Sequence, residues 1–190
     1  MKKLVFATNN LNKLKEIRSA ISHFEIIGLS DIAINEDIPE TGSTLKANAL
    51  QKAKYIFDKT GLDCFADDTG LEIEALQGKP GVYSARYAGE KCSSDDNMEK
   101  VLKELSGQQN RKASFKTVIA LIISGQKYFF EGKVEGCILQ EKTGKDGFGY
   151  DPIFQPKGFE KSFAEMTLAE KNQISHRGLA VKRLIQFLKE

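Results

Sequence analysis

The chain has 190 residues, of which 41% are hydrophobic and 28% charged, a length that suits one domain or two closely packed lobes with a buried core. The formal net charge of +2 is too small to indicate a protein that wraps nucleic acid. Every apolar run is shorter than the roughly 20 residues that span a bilayer, and MKKLVFATNN turns polar too soon for a signal peptide, so we expect a cytoplasmic protein without a membrane partner.

The first sixty residues predict strands alternating with helices. Lys3–Thr8 is apolar and β-branched enough for a strand, and Asn9 or Asn10 can cap the helix that follows it. Phe24–Leu29 predicts a second strand. A polar segment then leads to a helix over Thr44–Phe57, whose first residue is a suitable N-cap.

The stretch CFADDTGLEIEAL predicts two strands with an acidic turn between them. Asp63–Ala66 forms the first, and Leu71–Leu76 alternates apolar and acidic side chains as a half-buried strand does. Asp67 and Asp68 are therefore expected at a strand end, where a Thr-Gly pair follows. Neighbouring strand residues point to opposite faces, so we expect one aspartate of the pair to face a ligand.

The rest of the chain adds helices at both ends of a hairpin. Ser93 or Ser94 can cap a helix that runs to Leu105. A long strand over Ala113–Ser124 is expected to turn at Gly125 and Gln126. The remaining predictions are strands over Lys127–Lys133 and Val134–Leu139, a capping box over Thr167–Glu170, and a final helix after the cap Ser175 with an apolar stripe of Val181, Leu184, Ile185 and Leu188.

This order of elements predicts an α/β fold with a mixed sheet. No repeat, low-complexity tract or linker divides the sequence, so residues 1–190 are expected to form a single domain. Ligands of such sheets tend to bind at strand ends.

After several other kinds of site are excluded, the remaining candidate is a site that binds a hard cation. Cys64, Cys92 and Cys137 are widely spaced, so we expect reduced and mostly buried thiols rather than disulfides or a zinc site. The two histidines, His23 and His176, cannot make a three-histidine site. The Asp67–Asp68 pair suits Mg²⁺, which takes one or two carboxylates plus substrate phosphates, although adjacent aspartates also occur in ordinary turns.

Four further stretches are candidates for binding a nucleotide, and one of them, PGVYSARYAG (Pro80–Gly89), is more simply interpreted as a surface loop or subunit contact. ATNNLNK places a helix N-terminus and Lys13 where a phosphate can bind, unless it is a plain cap beside a solvated lysine. GFGYDPIF offers Phe148 or Tyr150 as a ring face for a base, or else forms a rigid turn with core aromatics. NQISHR places His176 and Arg177 at a helix start, where they suit a carbonyl oxygen or a phosphate, or else form a surface basic pair.

Taken together, six blocks of the sequence resemble the inosine triphosphate pyrophosphatase family, whose members are also called XTP/dITP diphosphatases. The blocks occur in the family's order over nearly the whole chain. They are TNNLNK (Thr8–Lys13), ETGST (Glu40–Thr44) with Asn48, Ala49, Lys52 and Ala53, ADDTGL (Ala66–Leu71), PGVYSARYAG (Pro80–Gly89), FGYDP (Phe148–Pro152) and ISHR (Ile174–Arg177).

The resemblance implies a Mg²⁺-dependent hydrolase that cleaves ITP, dITP and XTP between the α and β phosphates and so removes non-standard purine nucleotides. It also implies a homodimer, and an elongated mixed sheet with flanking helices in two lobes around a central nucleotide cleft. By its position in these blocks, Asp68 is similar to the family's general base, which is also a metal ligand. Glu40 is similar to the family's second metal ligand. The residues that resemble substrate-binding positions are Thr8, Asn9, Asn10, Lys13, Thr69, Phe148, Gly149, Tyr150, Asp151, Lys171, His176 and Arg177.

Two positions depart from the family pattern. Members often have Phe and an acidic residue where this chain has Leu45 and Ala47, so the metal site is expected to rest on Glu40 and Asp68. Two alternatives stay open: a related pyrophosphatase for other modified nucleoside triphosphates, and a non-catalytic nucleotide-binding or RNA-binding module. In the second, Asp67, Asp68 and Glu40 would repel nucleic acid unless a metal intervened.

Overall fold

Seven strands form one mixed sheet in the computed structural model, which describes residues 2–189. The strands are β1 (Lys2–Phe6), β2 (Phe24–Ile27), β3 (Cys64–Ile73), β4 (Pro80–Gly81), β5 (Lys112–Ile123), β6 (Gln126–Ile138) and β7 (Phe154–Pro156). Their order is β2-β1-β3-β5-β6-β7, and β4 pairs with β3. β1 is parallel to β2 and β3, whereas β3–β4 and β6–β7 are antiparallel, which confirms the predicted α/β fold with a mixed sheet.

Helix starts follow the side chains that can cap them. The helices of the described residues are α1 (Leu11–Ala20), α2 (Leu45–Thr60), α3 (Ser94–Glu104), α4 (Leu168–Ile174) and α5 (His176–Lys189). The side chains of Asn10, Thr44, Ser93 and Thr167 accept hydrogen bonds from backbone N–H groups in the first turn of the helix that each precedes. These caps confirm the predicted starts, and α5 begins directly after Ser175, as expected.

The chain forms two compact units. The first comprises residues 2–68, 117–132 and 177–189 of the described chain, and the second comprises 69–116 and 133–176. Consequently the boundary falls between Asp68 and Thr69, and again between His176 and Arg177.

Both faces of the sheet are covered in the first unit. Alternate residues of β1 enter different apolar clusters: Leu4 and Phe6 pack with side chains of α1 and α5, and Val5 packs with side chains of α2. β1 is therefore buried on both faces, as strands of a parallel sheet usually are. Asp67 and Asp68 belong to β3, the strand beside β1.

The second unit has its own aromatic core. Phe115 of β5 lies edge-on to Phe154, with ring centroids 4.7 Å apart, and both pack in a cluster with Leu71 and Ile73 of β3. Leu71 and Ile73 are fully buried while Glu72 between them is partly exposed, so the predicted alternation is confirmed.

The acidic stretch differs from its prediction. Asp67 and Asp68 lie inside the single strand β3 and not at a strand end, because the chain continues in extended form through Thr69 and Gly70. Residues Glu74–Leu76 form a 3₁₀ turn where strand was expected. Ionic partners of the two aspartates, described below, replace the solvation that a turn would have given them.

The hairpin and the thiols also need correction. The turn lies at Ser124 and Gly125, which both have positive φ, and not at Gly125 and Gln126. β6 then continues unbroken from Gln126 to Ile138, where two strands were predicted. All three cysteines are free thiols, but only Cys64 is buried, so the expectation of mostly buried cysteines was wrong.

Candidate active site

Asp67 is the buried centre of an ionic cluster in the first unit. Its Oδ1 lies 3.0 Å from Lys13 Nζ, and its Oδ2 lies 3.1 Å from Arg177 Nε. Burial alone would raise the pKa of Asp67, but the positive charges of Lys13 and Arg177 outweigh burial and hold that pKa well below its usual range. Asp67 therefore stays ionised at neutral pH, where it positions two cations, and it is a poor proton acceptor.

Glu16 is a member of this cluster that the sequence reasoning missed. Its carboxylate accepts a hydrogen bond from Arg177 Nη1, and both side chains are nearly fully buried. Burial lowers the pKa of Arg177, whereas the negative charges of Asp67 and Glu16 raise it. The net shift of this pKa is upward. A signal was present in the sequence, since Glu16 follows Lys13 by three residues and lies between Leu14 and Ile17 on the buried face of α1.

Asp68 has a different environment from its neighbour. Its Oδ2 accepts a hydrogen bond from Asn48 Nδ2 at 3.0 Å, and its Oδ1 lies 3.8 Å from Lys52 Nζ. Burial raises the pKa of Asp68, and the attraction of Lys52 offsets this only in part, so the net shift is upward. A carboxylate with a raised pKa is the better proton acceptor of the two.

Glu40 reaches the same lysine. Its Oε1 accepts a hydrogen bond from Lys52 Nζ, so that one ammonium group contacts both Glu40 and Asp68. Burial opposes the charge on Lys52, but Asp68, Asp67 and Glu40 together raise its pKa. α2 positions this group, because Asn48 and Lys52 are four residues apart and lie on one face of the helix.

The donor set of this group suits a hard cation. Glu40 and Asp68 supply carboxylate oxygens, and their shared contact with one ammonium indicates a position where positive charge is stabilised. Among the described residues no three His, Cys, Asp or Glu side chains are grouped as metal ligands. Two carboxylates with phosphates and water completing the shell are a common set for Mg²⁺, so the residues fit this ion.

The start of α1 is a capped helix N-terminus. Asn10 Oδ1 accepts from the backbone N–H groups of Asn12 and Lys13 at 3.0 and 3.2 Å, and Thr8 Oγ1 accepts from Asn10 N at 3.1 Å. The Asn9 side chain donates to the carbonyl oxygen of Glu36 at 3.2 Å. These polar groups lie on the same segment as Lys13, and phosphate binding there stays a prediction.

A second ionic group lies within the second unit. Asp151 Oδ2 accepts from Lys171 Nζ at 2.6 Å and from the backbone N–H of Phe148 at 2.8 Å. Lys171 Nζ also lies 4.8 Å from the centroid of the Phe148 ring, a cation–π distance. Gly147 is required here, since it has φ +76° and a Cβ atom would lie 2.2 Å from Asp151 Oδ2. The bonds fix the Phe148 ring relative to Lys171.

The remaining predicted residues of the second unit differ in exposure. Tyr150 is buried and its hydroxyl donates to the carbonyl oxygen of Ser84 at 2.8 Å, so Phe148 and not Tyr150 is the half-exposed ring of this loop. Gly149 is partly exposed with φ +65°. The His176 ring stacks on Phe115 with centroids 4.4 Å apart and is 3% exposed. Thr69 is half-buried in β3.

Comparison with known sequences identifies the family. A sequence model of the Ham1 family matches residues 4–187. The chain belongs to the Ham1 family. Among relatives, the dITP/XTP pyrophosphatase of Christiangramia forsetii is 57% identical over 187 residues, covering 98% of each chain. That of Porphyromonas gingivalis is 57% identical over 190 residues, covering 99% of this chain and 98% of the relative.

Solved structures of the Ham1 family have the same fold. The HAM1 protein from Coxiella burnetii is 40% identical, with a TM-score of 0.90 over 100% of this chain and 99% of that chain. The Ham1 protein of Staphylococcus aureus gives a TM-score of 0.88 at 40% identity, over 99% of this chain and 98% of that chain. In residues 2–189, no helix is both long and apolar enough to span a membrane.

Proposed function

We propose that this Ham1-family chain is a Mg²⁺-dependent nucleoside triphosphate pyrophosphohydrolase. Its substrates are ITP, dITP and XTP, and its products are the nucleoside monophosphate and pyrophosphate. Relatives at 57% identity carry the name dITP/XTP pyrophosphatase, which supports this substrate class. The function removes non-standard purine nucleotides from the pool of precursors.

The observation that carries this proposal is the contrast between the two adjacent aspartates. Asp67 is locked between Lys13 and Arg177 with a lowered pKa, whereas Asp68 has a raised pKa and lies in the group that contains Glu40. Hydrolysis of a phosphoanhydride needs both a proton acceptor and a fixed positive environment. Adjacent residues of one strand supply these two requirements separately.

Asp68 serves as the general base in this proposal. Its carboxylate takes a proton from the attacking water as the water oxygen bonds to the α phosphorus and the bond from that phosphorus to the bridging oxygen breaks. Pyrophosphate leaves with the bridging oxygen, and Asp68 later releases the proton to solvent. Asn48 holds the Asp68 carboxylate through the 3.0 Å hydrogen bond, which fixes the direction of attack.

Lys13 and the segment Thr8–Asn10 hold the phosphate chain, together with Thr69. Lys13 stays beside Asp67, so its charge is positioned before the substrate arrives. Glu40 and Asp68 would hold Mg²⁺, which when bound would neutralise charge on the phosphates and polarise the reacting phosphoryl group.

Residues of the second unit bind the base. The Phe148 ring, fixed by Asp151 and Lys171, is a stacking surface. Gly149 and Tyr150 complete this loop. A donor from His176 to the 6-oxo group would reject ATP, whose 6-amino group is itself a donor, because an unsatisfied buried donor costs about 1–3 kcal/mol.

We also infer one functional domain over residues 1–190, because a single family model runs through segments of both compact units. A homodimer that acts in the cytosol is supported by the resemblance to the inosine triphosphate pyrophosphatase family.

The test is an incubation of the full chain with ITP and Mg²⁺, with pyrophosphate and free phosphate measured separately. We expect one pyrophosphate per monophosphate and no free phosphate. The Asp68→Asn variant should lose about 10²–10⁴-fold in kcat, because the base is removed while the side-chain shape is kept. Exposed Asp58→Asn on α2 is the matched control and should match the wild type.

Two outcomes would overturn this function. Tight ITP binding without any product would favour a non-catalytic nucleotide-binding protein. Faster pyrophosphate release from modified pyrimidine triphosphates than from ITP, dITP or XTP would favour a related pyrophosphatase with another substrate. Equal kcat/KM for ITP and ATP would contradict the selectivity argument alone.

A further inference from the structure

Lys52 occupies a chemically unusual position between the two carboxylates assigned to the metal. Its ammonium donates to Glu40 Oε1 and lies 3.8 Å from Asp68 Oδ1. The Lys52 side chain is only 8% exposed, and that of Asp68 is 10% exposed. One buried cation thus contacts both side chains that are proposed to hold a divalent ion and offsets one of their two negative charges.

This arrangement has a physical cause. Two carboxylates that face one position repel each other, and burial strengthens that repulsion. A cation between them reduces it. The three side chains therefore form an ionic group with one net negative charge before any metal is bound.

A divalent ion cannot bind these two carboxylates without meeting the lysine. An ammonium and a divalent cation in contact with the same carboxylate oxygens repel each other, and the burial of Lys52 and Asp68 limits screening of this repulsion by solvent. The Lys52 side chain has a flexible four-carbon stem, and its ammonium group is compact and lacks the planar geometry of a guanidinium. The ammonium is able to leave the carboxylates while α2 stays in place.

We propose that Lys52 is the resident counter-cation of the metal position, and that its ammonium must leave Glu40 and Asp68 when the divalent ion enters. This inference rests on the proposed function, which assigns Glu40 and Asp68 to Mg²⁺. Lys52 is a positioning residue that sets the metal affinity. The free enzyme binds free divalent ions weakly, and the ion binds well together with the triphosphate, whose negative charge compensates for the crowded cations.

The direct test measures Mn²⁺ binding without nucleotide, by electron paramagnetic resonance of free Mn²⁺ and by calorimetry. Lys52→Met should bind Mn²⁺ at least about tenfold more tightly than the wild type, because it removes a positive charge in contact with both ligands. Lys52→Arg keeps the charge and should stay within about threefold of the wild type. Lys54→Met on the same helix, whose partner Asp58 is exposed, is the matched control and should show no change.

The outcomes separate charge from packing. Tighter binding by Lys52→Met alone supports the inference. Binding by Lys52→Met that is no tighter than the wild type overturns it, and so does equal tightening by Lys52→Arg. In that second case loss of the native packing, and not loss of the charge, would be the cause.

A measurement on the wild type keeps the inference testable if Lys52→Met fails to fold. Brief acetylation with acetic anhydride, read by mass spectrometry of the Lys52 peptide, compares the chain with and without Mg²⁺ in the absence of nucleotide. Release of the ammonium should raise Lys52 labelling several-fold, while labelling of Lys54 stays constant. Unchanged Lys52 labelling at saturating Mg²⁺ would contradict the displacement.

Failure of this inference is distinguishable from failure of the proposed function. The same wild-type preparation is assayed for pyrophosphate release from ITP. Release of pyrophosphate with unchanged Mn²⁺ affinity in Lys52→Met would overturn the role of Lys52 alone. Absence of release would overturn the proposed function itself.

Discussion

Arg177 Nε lies 3.1 Å from Asp67 Oδ2, although the two residues are 110 positions apart in the chain. Both side chains are at most 3% exposed. Asp67 also binds Lys13, so a single carboxylate ties the start of α1 and the start of α5 to β3 within the first unit. Stability of this unit and the geometry of its cations therefore depend on one residue.

Asp67→Asn should destabilise the chain strongly. The amide keeps the size of the side chain but leaves Lys13 and Arg177 buried with one negative charge fewer, a loss of about 3–5 kcal/mol for a broken buried pair. Urea unfolding at pH 7 measures the difference. Asp58→Asn, which breaks the exposed pair with Lys54, should cost about 0–1 kcal/mol. Similar losses in both variants would show that the Asp67 cluster contributes no more than a surface pair.

The pH dependence of this contribution has a defined sign. The pKa of Asp67 is lowered in the folded chain, because Lys13 and Arg177 outweigh the opposite effect of burial. The stabilisation is therefore complete above the unfolded value of about 3.9 and is lost as pH falls from there towards the folded pKa. The difference in unfolding free energy between wild type and Asp67→Asn, measured from pH 6 to pH 3, should shrink on acidification. A difference that grows in acid would contradict this assignment.

Asn48→Ala should move the acid limb of activity to higher pH. Burial raises the pKa of Asp68, and the hydrogen bond from Asn48 opposes that rise, so its removal raises the pKa further. A base must be deprotonated to act, and kcat/KM for ITP should fall at a higher pH than in the wild type. Gln51→Ala, which removes the contacts with Thr41 from the same helix, should leave the limb in place. If the acid limb of Asn48→Ala stayed at the pH of the wild type, Asp68 would not be the group whose protonation controls kcat/KM.

Local signals predicted the elements of the fold well. Thr44 and Thr167 were identified as caps, and Asn10 and Ser93 each as one of two candidates, because cap bonds reach only two or three residues along the chain. The turn between β5 and β6 was placed one residue late, since Ser124 adopts a positive φ that glycine usually takes.

The ionic partners of the acidic pair lie too far away in the sequence to be predicted from local patterns. Asp67 and Asp68 were predicted at a strand end, because uncompensated charge inside a buried strand is costly. The compensation comes from Lys13 and Arg177, which are 54 and 110 residues away in sequence. Spacing alone also did not reveal which of the two buried aspartates pairs with Lys13 and Arg177, and this difference in partners is what separates the two roles.

Phe148 provides the test of the base-binding residues. Phe148→Leu should raise KM for ITP roughly five- to 150-fold, because base stacking contributes about 1–3 kcal/mol per base. Phe148→Tyr keeps a ring and should retain wild-type KM, and Phe159→Leu changes an exposed phenylalanine elsewhere in the second unit. Inhibition by tripolyphosphate, which lacks a base, should be the same in all four proteins. If Phe148→Leu weakened the binding of tripolyphosphate as much as that of ITP, the ring would stabilise the loop over Gly147–Asp151 and would not stack on the base. A KM that rises equally in Phe159→Leu would point to a general loss of structure, which urea unfolding of both variants would detect.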